Sequence, residues 1–514
     1  MARINSNVPS LIARANLSRA NDDLAVRLQR LSTGLQINRG ADNPAGLIIS
    51  ERIRAEIAGL NQAISNSDRA SSVIATAEGA LAEVSDLLNS IKALVVEAAN
   101  TGAVSPEERE ANQLQIDSAI ESITRISNAA SFGGLKLLNG SLDYVLSGLS
   151  ATAISKAQVH GANFAGQENI QVNVQVLASA QTASLYLRGD YGDPNRTDGT
   201  LVSATTLEIA GPLGVQVISF PSGTPLNLVR DSVNSFAQAT GIVAELINNN
   251  PLSGLRFSSQ DYGSEAFVSV RRIGAPATGD YFKTYEIVDN APVPDNFSFS
   301  TFPPGSLSAS NRDEGRDVTA IVNGTLGSGR GLRLSIQNST SLSLELTLHP
   351  EFATKNNSIS TFYITGGGAL YQLGGEINTS QQLNIGIPSV AASRLGGTLI
   401  DGELRFLSEL KSGGAMDLAS KRFDAASRIL ETAIDEVSII RGRLGALERN
   451  TLQTNVRSLQ AAIENLTASE SAIRDADFAA ETSALTRAQI LTSAGTSVLA
   501  MANQQSQQVL SLLR

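Results

Sequence analysis

The sequence predicts an α+β chain: long antiparallel helical, coiled-coil ends enclosing a β-rich inserted outer domain. Three observations carry that reading. Of 15 prolines, only Pro9, Pro44 and Pro106 lie in the first 150 residues, and none follows Pro388, so both ends are free to be helical. The 15 Phe and 8 Tyr gather in the middle, leaving only Phe132 before residue 141 and Phe406, Phe423 and Phe478 after residue 400. Apolar residues recur every seven positions at the ends and every two in the middle, the periods of packed helices and of half-buried strands.

At the first end, Ile53, Leu60, Ser67, Ile74, Leu81, Leu88 and Val95 are each seven apart, with Ile57, Ile64, Val84 and Ile91 on the adjoining seam. Asn100-Thr101-Gly102 ends this helix. Ser105-Pro106-Glu107-Glu108 opens the next with Ser as N-cap and Pro at the first helical position, and the segment to about Ala130 is expected to run back antiparallel. In the middle, period-two runs at Val172, Val174 and Val176, at Leu332, Leu334 and Ile336, and at Leu342, Leu344, Leu346 and Leu348 read as strands. Asp193-Pro194, Pro221-Ser222-Gly223, Asn323-Gly324 and Gly366-Gly367-Gly368 separate them as turns. One helix is expected from about Pro225 to Asn248. At the second end Leu430, Val437 and Leu444, with Ile434, keep the seven-residue step. Leu452, Leu459, Leu466 and Ile473, supported by Val456 and Ile463, continue it after a slip of one residue. These helices are rich in Ala, Ser, Asn and Gln, so alone they bury little apolar area and gain by packing against copies of themselves.

With 514 residues and about 100–200 per domain, two to four domains are expected. No stretch approaches the roughly 18 apolar residues of a membrane span, and the net charge of −10 repels nucleic acid and anionic lipid. No nucleic-acid partner and no membrane insertion are expected. The chain has no Cys, which removes disulfide scaffolds, zinc ribbons and thiol catalysis. Its two histidines, His160 and His349, have no second His at metal-ligand spacing. Gly327-Ser328-Gly329-Arg330-Gly331 lacks the spacing and Lys-Ser/Thr end of a phosphate loop and reads as a hairpin or loop. The cluster from Arg312 to Asp317 lacks the Ca²⁺-loop pattern and reads as a solvated turn. No catalytic, cofactor or metal site is expected, and the opening residues carry no secretory signal pattern.

Both ends resemble bacterial flagellin. Leu31-Ser32-Thr33-Gly34-Leu35-Gln36-Ile37-Asn38, followed by Ala41-Asp42-Asn43-Pro44-Ala45-Gly46, is similar to the family's turn between its outermost and next helices, and Ala77-Glu78-Gly79-Ala80-Leu81 follows. Near the end, Ala472-Ile473-Arg474-Asp475-Ala476-Asp477-Phe478, Ala488-Gln489-Ile490-Leu491, Ala494-Gly495-Thr496-Ser497-Val498-Leu499-Ala500 and Val509-Leu510-Ser511-Leu512-Leu513-Arg514 resemble the flagellin C-terminus. The resemblance implies a subunit that polymerises into the helical flagellar filament used for swimming, located outside the cell. Alternatives are a hook-filament junction-type axial protein, or a flagellin whose insert acts as an adhesin.

On this resemblance residues 1–143 form the N-terminal region (1–45 inner tube, 46–143 outer tube), 144–400 a variable surface-exposed β-rich insert of one or two subdomains, and 401–514 the C-terminal region (401–469 outer tube, 470–514 inner tube). The resemblance assigns inner-tube self-assembly to Leu17, Leu24, Leu28, Leu31, Ile490, Leu491, Val498, Leu499, Val509, Leu510, Leu512 and Leu513, with Gly34, Asn38, Asp42, Asn43 and Gly46 forming the turn. It implies as partners other copies of the chain, the flagellar cap and hook-filament junction proteins, an export chaperone and the type III export apparatus. The inner-tube ends are expected to be unfolded before assembly, since isolated helices with few large apolar groups are marginal in water. One departure stands out. Flagellins sensed by the vertebrate Toll-like receptor for flagellin carry Arg where this chain has Ser90 and Glu at about Gln115, while Leu94 is retained, so weak recognition is expected.

Overall fold

The structure is a computed structural model that describes residues 7–164, 166–188, 198–274, 282–287, 307–338, 342–400 and 402–511. The helices are α1 (Val8–Thr33), α2 (Pro44–Ala99), α3 (Pro106–Ala129), α4 (Leu226–Asn234), α5 (Ala237–Thr240), α6 (Pro350–Ala353), α7 (Phe423–Leu447), α8 (Gln453–Arg474) and α9 (Phe478–Ser511). Contacts divide the chain into two compact units. The smaller comprises the residues up to Ser71, Gln372–Gln382 and Glu448 onward; the larger comprises Ser72–Tyr371 and Leu383–Leu447.

The local signals of the larger unit act as their chemistry dictates. Ser105 Oγ accepts the Glu108 N–H at 3.1 Å and Glu108 returns a carboxylate to the Ser105 N–H at 2.8 Å, a reciprocal cap that starts α3 at Pro106. Ile74, Leu81, Val84, Leu88, Ile91 and Val95 of α2, and Ile116, Ile120 and Ile123 of α3, are buried. Gln113 of α3 is buried with its amide satisfied: Nε2 donates to Leu410 O and Oε1 accepts the Leu418 N–H, both at 2.8 Å. The slip in the C-terminal heptad series falls on a π-helical stretch, Glu448–Leu452, which takes up one extra residue, and Leu444 before it and Leu452 at its end are both buried.

The insert holds two antiparallel β bodies. In the first, one sheet contains Ile170–Ala178 between Thr319–Val322 and Ile359–Gly367, and a second contains Ser328–Arg330, Arg333–Asn338, Leu342–Leu348 and Ile154–Ala162 in that order. Val172, Val174, Val176, Leu334, Ile336, Leu344, Leu346 and Phe362 form their common core. Asn323 and Gly324, at φ 48° and 82°, make the two-residue hairpin that leads from Thr319–Val322 into Thr325–Leu326. The Gly327–Gly331 run is a hairpin edge, Ser328–Arg330 pairing with Arg333–Asn338. In the second body Thr182–Leu187, Thr205–Gly211, Leu255–Tyr262 and Phe267–Ile273 enclose Leu185, Leu207, Phe257 and Val270 with Val229 and Val233 of α4. The chain enters the second body at Gln181 and leaves it at Arg316, and these two exchange backbone hydrogen bonds of 2.9 and 3.0 Å.

Two expectations fail here. The helix expected from Pro225 to Asn248 stops early: α4 ends at Asn234, α5 is four residues long, and Ile242–Leu246 is a strand paired with Leu255–Tyr262. Gly241 at φ 73° closes α5, and β-branched Ile242-Val243 then pair in the sheet. Asn234 locks the reversal, donating to Ala244 O at 3.0 Å and accepting the Ala244 N–H at 2.7 Å. The Arg312–Asp317 cluster is no solvated turn. Arg312–Glu314 is a strand on Phe267–Ile273, Asp313 accepts the Ser184 N–H at 2.6 Å, and Asp317 accepts the Gly331 N–H at 2.6 Å and the Ser264 hydroxyl at 2.6 Å. Its carboxylates satisfy backbone at the exit from the second body. Asp193-Pro194 lies outside the described residues.

Candidate assembly site at the paired terminal helices

In the smaller unit α1 and α9 lie antiparallel. Asn7 Nδ2 donates to Ala502 O at 3.1 Å, the Ser10 hydroxyl donates to Asn503 Oδ1 at 2.7 Å, and a Cβ on Gly495 would stand 3.2 Å from Leu17 Cδ1. Small residues make this closeness possible: Ala13, Ala488 and Ala502 are buried. Arg27 Nη1 donates to both Glu481 oxygens at 3.1 and 3.0 Å, and Arg30 Nη1 donates to Oε1 at 3.0 Å. Burial raises the pKa of the Glu481 carboxyl, but the hydrogen bonds and charges of Arg27 and Arg30 outweigh it and hold the group below the usual range. Glu481 lies in the first turn of α9 and Arg30 in the last turn of α1, so the helix dipoles favour each charge.

The turn motif joins this pair to the rest of the unit. Gly34 ends α1 at φ 72°, where a side chain is disfavoured. The Gln36 N–H donates to Arg474 O at 2.7 Å and the Ala476 N–H to Gly34 O at 2.9 Å, so the α1–α2 turn is bonded to the α8–α9 turn. Asn38 Nδ2 donates to Leu35 O at 2.9 Å. Asp42 Oδ2 accepts the N–H groups of Arg39 and Asn38 at 2.8 and 3.0 Å, which lowers its pKa. Asn43 Oδ1 accepts the Gly46 N–H at 2.9 Å and starts α2 at Pro44. A Cβ on buried Gly46 would stand 2.7 Å from both Ile37 Cδ1 and Asn43 Nδ2.

Further along, α2 and α8 also run antiparallel: Arg474 meets Glu51 at 2.8 Å, Arg54 meets Glu470 at 3.9 Å, and Ser71 donates to Glu448 at 2.6 Å. Here Ile53, Ile57, Leu60, Ile64, Leu459, Ile463, Leu466 and Ile473 are only half-buried. The strap Gln372–Gln382 belongs to this unit. Asn455 donates to Leu373 O at 2.7 Å, and Gly59 lies so close to the strap that an added Cβ would stand 3.0 Å from Gly375 O. Neither the strap nor the Glu481 clamp was visible in the sequence. Their one local signal is the residue types: glycine at Gly59 and Gly374-Gly375, and two arginines three apart.

The residues assigned to the inner tube divide by exposure. Leu17, Leu24, Leu31 and Leu499 are half-buried, while Leu28 is 50% exposed, Ile490 63%, and Leu491 and Val498 about half. Leu11, Ile12 and Met501 extend the exposed apolar set. The side chains of Val509 and Leu510, and Leu512 and Leu513 altogether, lie outside the described residues. Ser90 and Gln115 are exposed and Leu94 half-buried. Among the described residues no group of three or more His, Asp and Glu stands where it could hold a metal, and no helix is long and apolar enough to cross a membrane. The helix pair thus leaves Leu28, Ile490, Leu491 and Val498 exposed beside its closed small-residue seam.

Both helical ends match models of a known family. The model of the bacterial flagellin N-terminal helical region matches residues 4–143, and that of the C-terminal helical region matches residues 428–513. The chain belongs to the bacterial flagellin family. It is 28% identical over 530 residues to the B-type flagellin of Pseudomonas aeruginosa and 27% over 538 residues to the flagellin of Salmonella typhimurium, with 99% of both chains covered in each case. Flagellin B of Vibrio cholerae is 26% identical over 510 residues, again covering 99% of each. Among solved structures, the flagellar hook associated protein-3 of Legionella pneumophila is 12% identical, covering 82% of this chain and 97% of that one, with a TM-score of 0.28, and it adds nothing to the assignment.

Proposed function

We propose that the α1–α9 pair is the surface through which the chain polymerises. The chain is a subunit of the flagellar filament and serves motility; flagellin relatives matched over 99% of both chains carry that assignment and do not favour the junction-type alternative. The observation that carries the surface is the exposed stripe Ile490, Leu491 and Val498, which the Ala and Gly seam against α1 leaves uncovered. In this reading residues 1–45 and 470–514 line the inner tube, 46–143 and 401–469 the outer tube, and 144–400 projects from the filament. A heterologous contact that does not close on itself then yields a helical polymer. The ends order as neighbours cover them, so folding and assembly become one event. Export unfolded through the flagellar type III apparatus, with a chaperone, cap and junction proteins as partners, belongs to the same reading, and no enzymatic role does.

Electron microscopy of the purified chain tests it. Adding sulfate or phosphate, which strengthens apolar burial, should give long filaments from the full chain and none from a chain lacking residues 470–514. Short capped oligomers from the full chain would favour a junction-type protein. Weak recognition by the Toll-like receptor is proposed from Ser90 and Gln115, both exposed. A cell reporter assay showing full potency at nanomolar concentration would overturn it.

A further inference from the structure

In the larger unit a cavity of about 450 Å³ opens between α7, the strand Ile154–Ala162 and the run Leu383–Pro388. Its size is that of a small-molecule site, about 300–1,000 Å³. The helix lines it with Ile440, Arg443, Leu444 and Leu447, positions three and four apart on one face, so a guanidinium interrupts an otherwise apolar stripe. Arg443 Nη1 is buried with no hydrogen-bond partner among the described residues. Burial lowers the pKa of this guanidinium, and no carboxylate offsets it.

His160, its side chain 8% exposed, lines the same cavity, and its Nε2 is likewise buried and unpartnered. The nearest carboxylate, Glu345, stands 4.0 Å away, beyond hydrogen-bond reach, and also faces Arg333 at 3.4 Å. Asn384 lines the same wall. Buried polar groups are nearly always satisfied, so two unmet ones, Arg443 Nη1 and His160 Nε2, at one largely apolar cavity mark a place where a bound molecule supplies what the chain does not.

We propose that this cavity binds a small organic carboxylate with an apolar body, its acid on the Arg443 guanidinium beside His160 and its hydrocarbon against the α7 stripe. A guanidinium fork matches a carboxylate in both charge and geometry. The cavity lies in the larger unit, whereas the α1–α9 pair proposed for polymerisation belongs to the smaller one.

Isothermal titration calorimetry of the full-length chain with 4-phenylbutyrate, and with 4-phenylbutanol as its uncharged match, tests the proposal. One site per chain is expected, with the alcohol binding at least about tenfold more weakly. Arg443→Met, which keeps the apolar length, should weaken the acid about tenfold, and Arg443→Lys should weaken it less. Because the chain has only two histidines, ¹⁵N-histidine spectra of the unaltered protein give a readout that needs no variant: the His160 imidazole signal should move with the acid while His349 stays. Equal binding of acid and alcohol, an Arg443→Met chain that binds like the parent, no saturable binding, or a stationary His160 signal would each overturn the proposal.

Discussion

Replacing Ile490 with Ala should raise the critical concentration for filament growth. Full burial of an Ile side chain is worth about 1.5–3 kcal/mol, and Ile490 is still 63% exposed in the subunit, so about 1–2 kcal/mol remains for neighbours to gain. At about 1.4 kcal/mol per tenfold, the loss corresponds to a rise of about 5- to 25-fold. Seeded growth over a series of subunit concentrations, followed by sedimentation, measures it directly. Leu326, 62% exposed in a short strand of the insert, is the matched control and should leave the threshold unchanged as Leu326→Ala. A change below twofold for Ile490→Ala, or an equal change for the control, would refute the argument that the α9 stripe, rather than exposed apolar area in general, drives growth.

Three further outcomes are expected. Glu481→Gln should weaken the α1–α9 pair by about 1–3 kcal/mol, because two guanidiniums lose their carboxylate; limited proteolysis of the ends reports it. The folded Glu481 carboxyl titrates lower than it would unfolded, so its contribution is fully present above the ordinary carboxyl range and is lost as pH falls through the depressed value; the parent's acid sensitivity of α1–α9 pairing, followed by circular dichroism, should be blunted in the Gln variant. Gly46→Val should cost about 1–3 kcal/mol by overpacking against Ile37 and Asn43, read as a lower thermal midpoint, with swimming on soft agar reduced alongside.

What the sequence made legible is what nearby residues decide. The Ser105–Glu108 cap, the hairpin at Asn323-Gly324 and the alternating valines of Ile170–Ala178 each state their structure within a few positions. The π stretch at Glu448–Leu452 was visible too, as a slip in the heptad. Gly241 carried a warning against one long helix, but the deciding partner of Ile242–Leu246 is a strand that begins at Leu255, and amphipathic spacing over Leu226, Val229 and Val233 matched a helix up to that point. Charged residues were the least legible. Asp313, Asp317, Arg27 and Glu481 look like solvated surface until the fold brings backbone N–H groups or opposite charges to them from far along the chain. The Gln372–Gln382 strap was hidden for the same reason, since its glycines matter only where Gly59 lies against them.

The paired crossings at Gln181 and Arg316 have an engineering consequence. Because Gln181 and Arg316, which lead into and out of the second β body, exchange backbone hydrogen bonds, their α-carbons lie about 5.5 Å apart, and the buried residues of the first body's core all come from outside the stretch between them, with Tyr262 packed against it. That doorway accepts any guest whose termini are neighbours. The region from about 182 to 315 is therefore an exchangeable cassette, open to lengthening, loss or replacement by a foreign domain while the filament-building ends keep their form, and a polymer of such subunits would display the guest in a regular array.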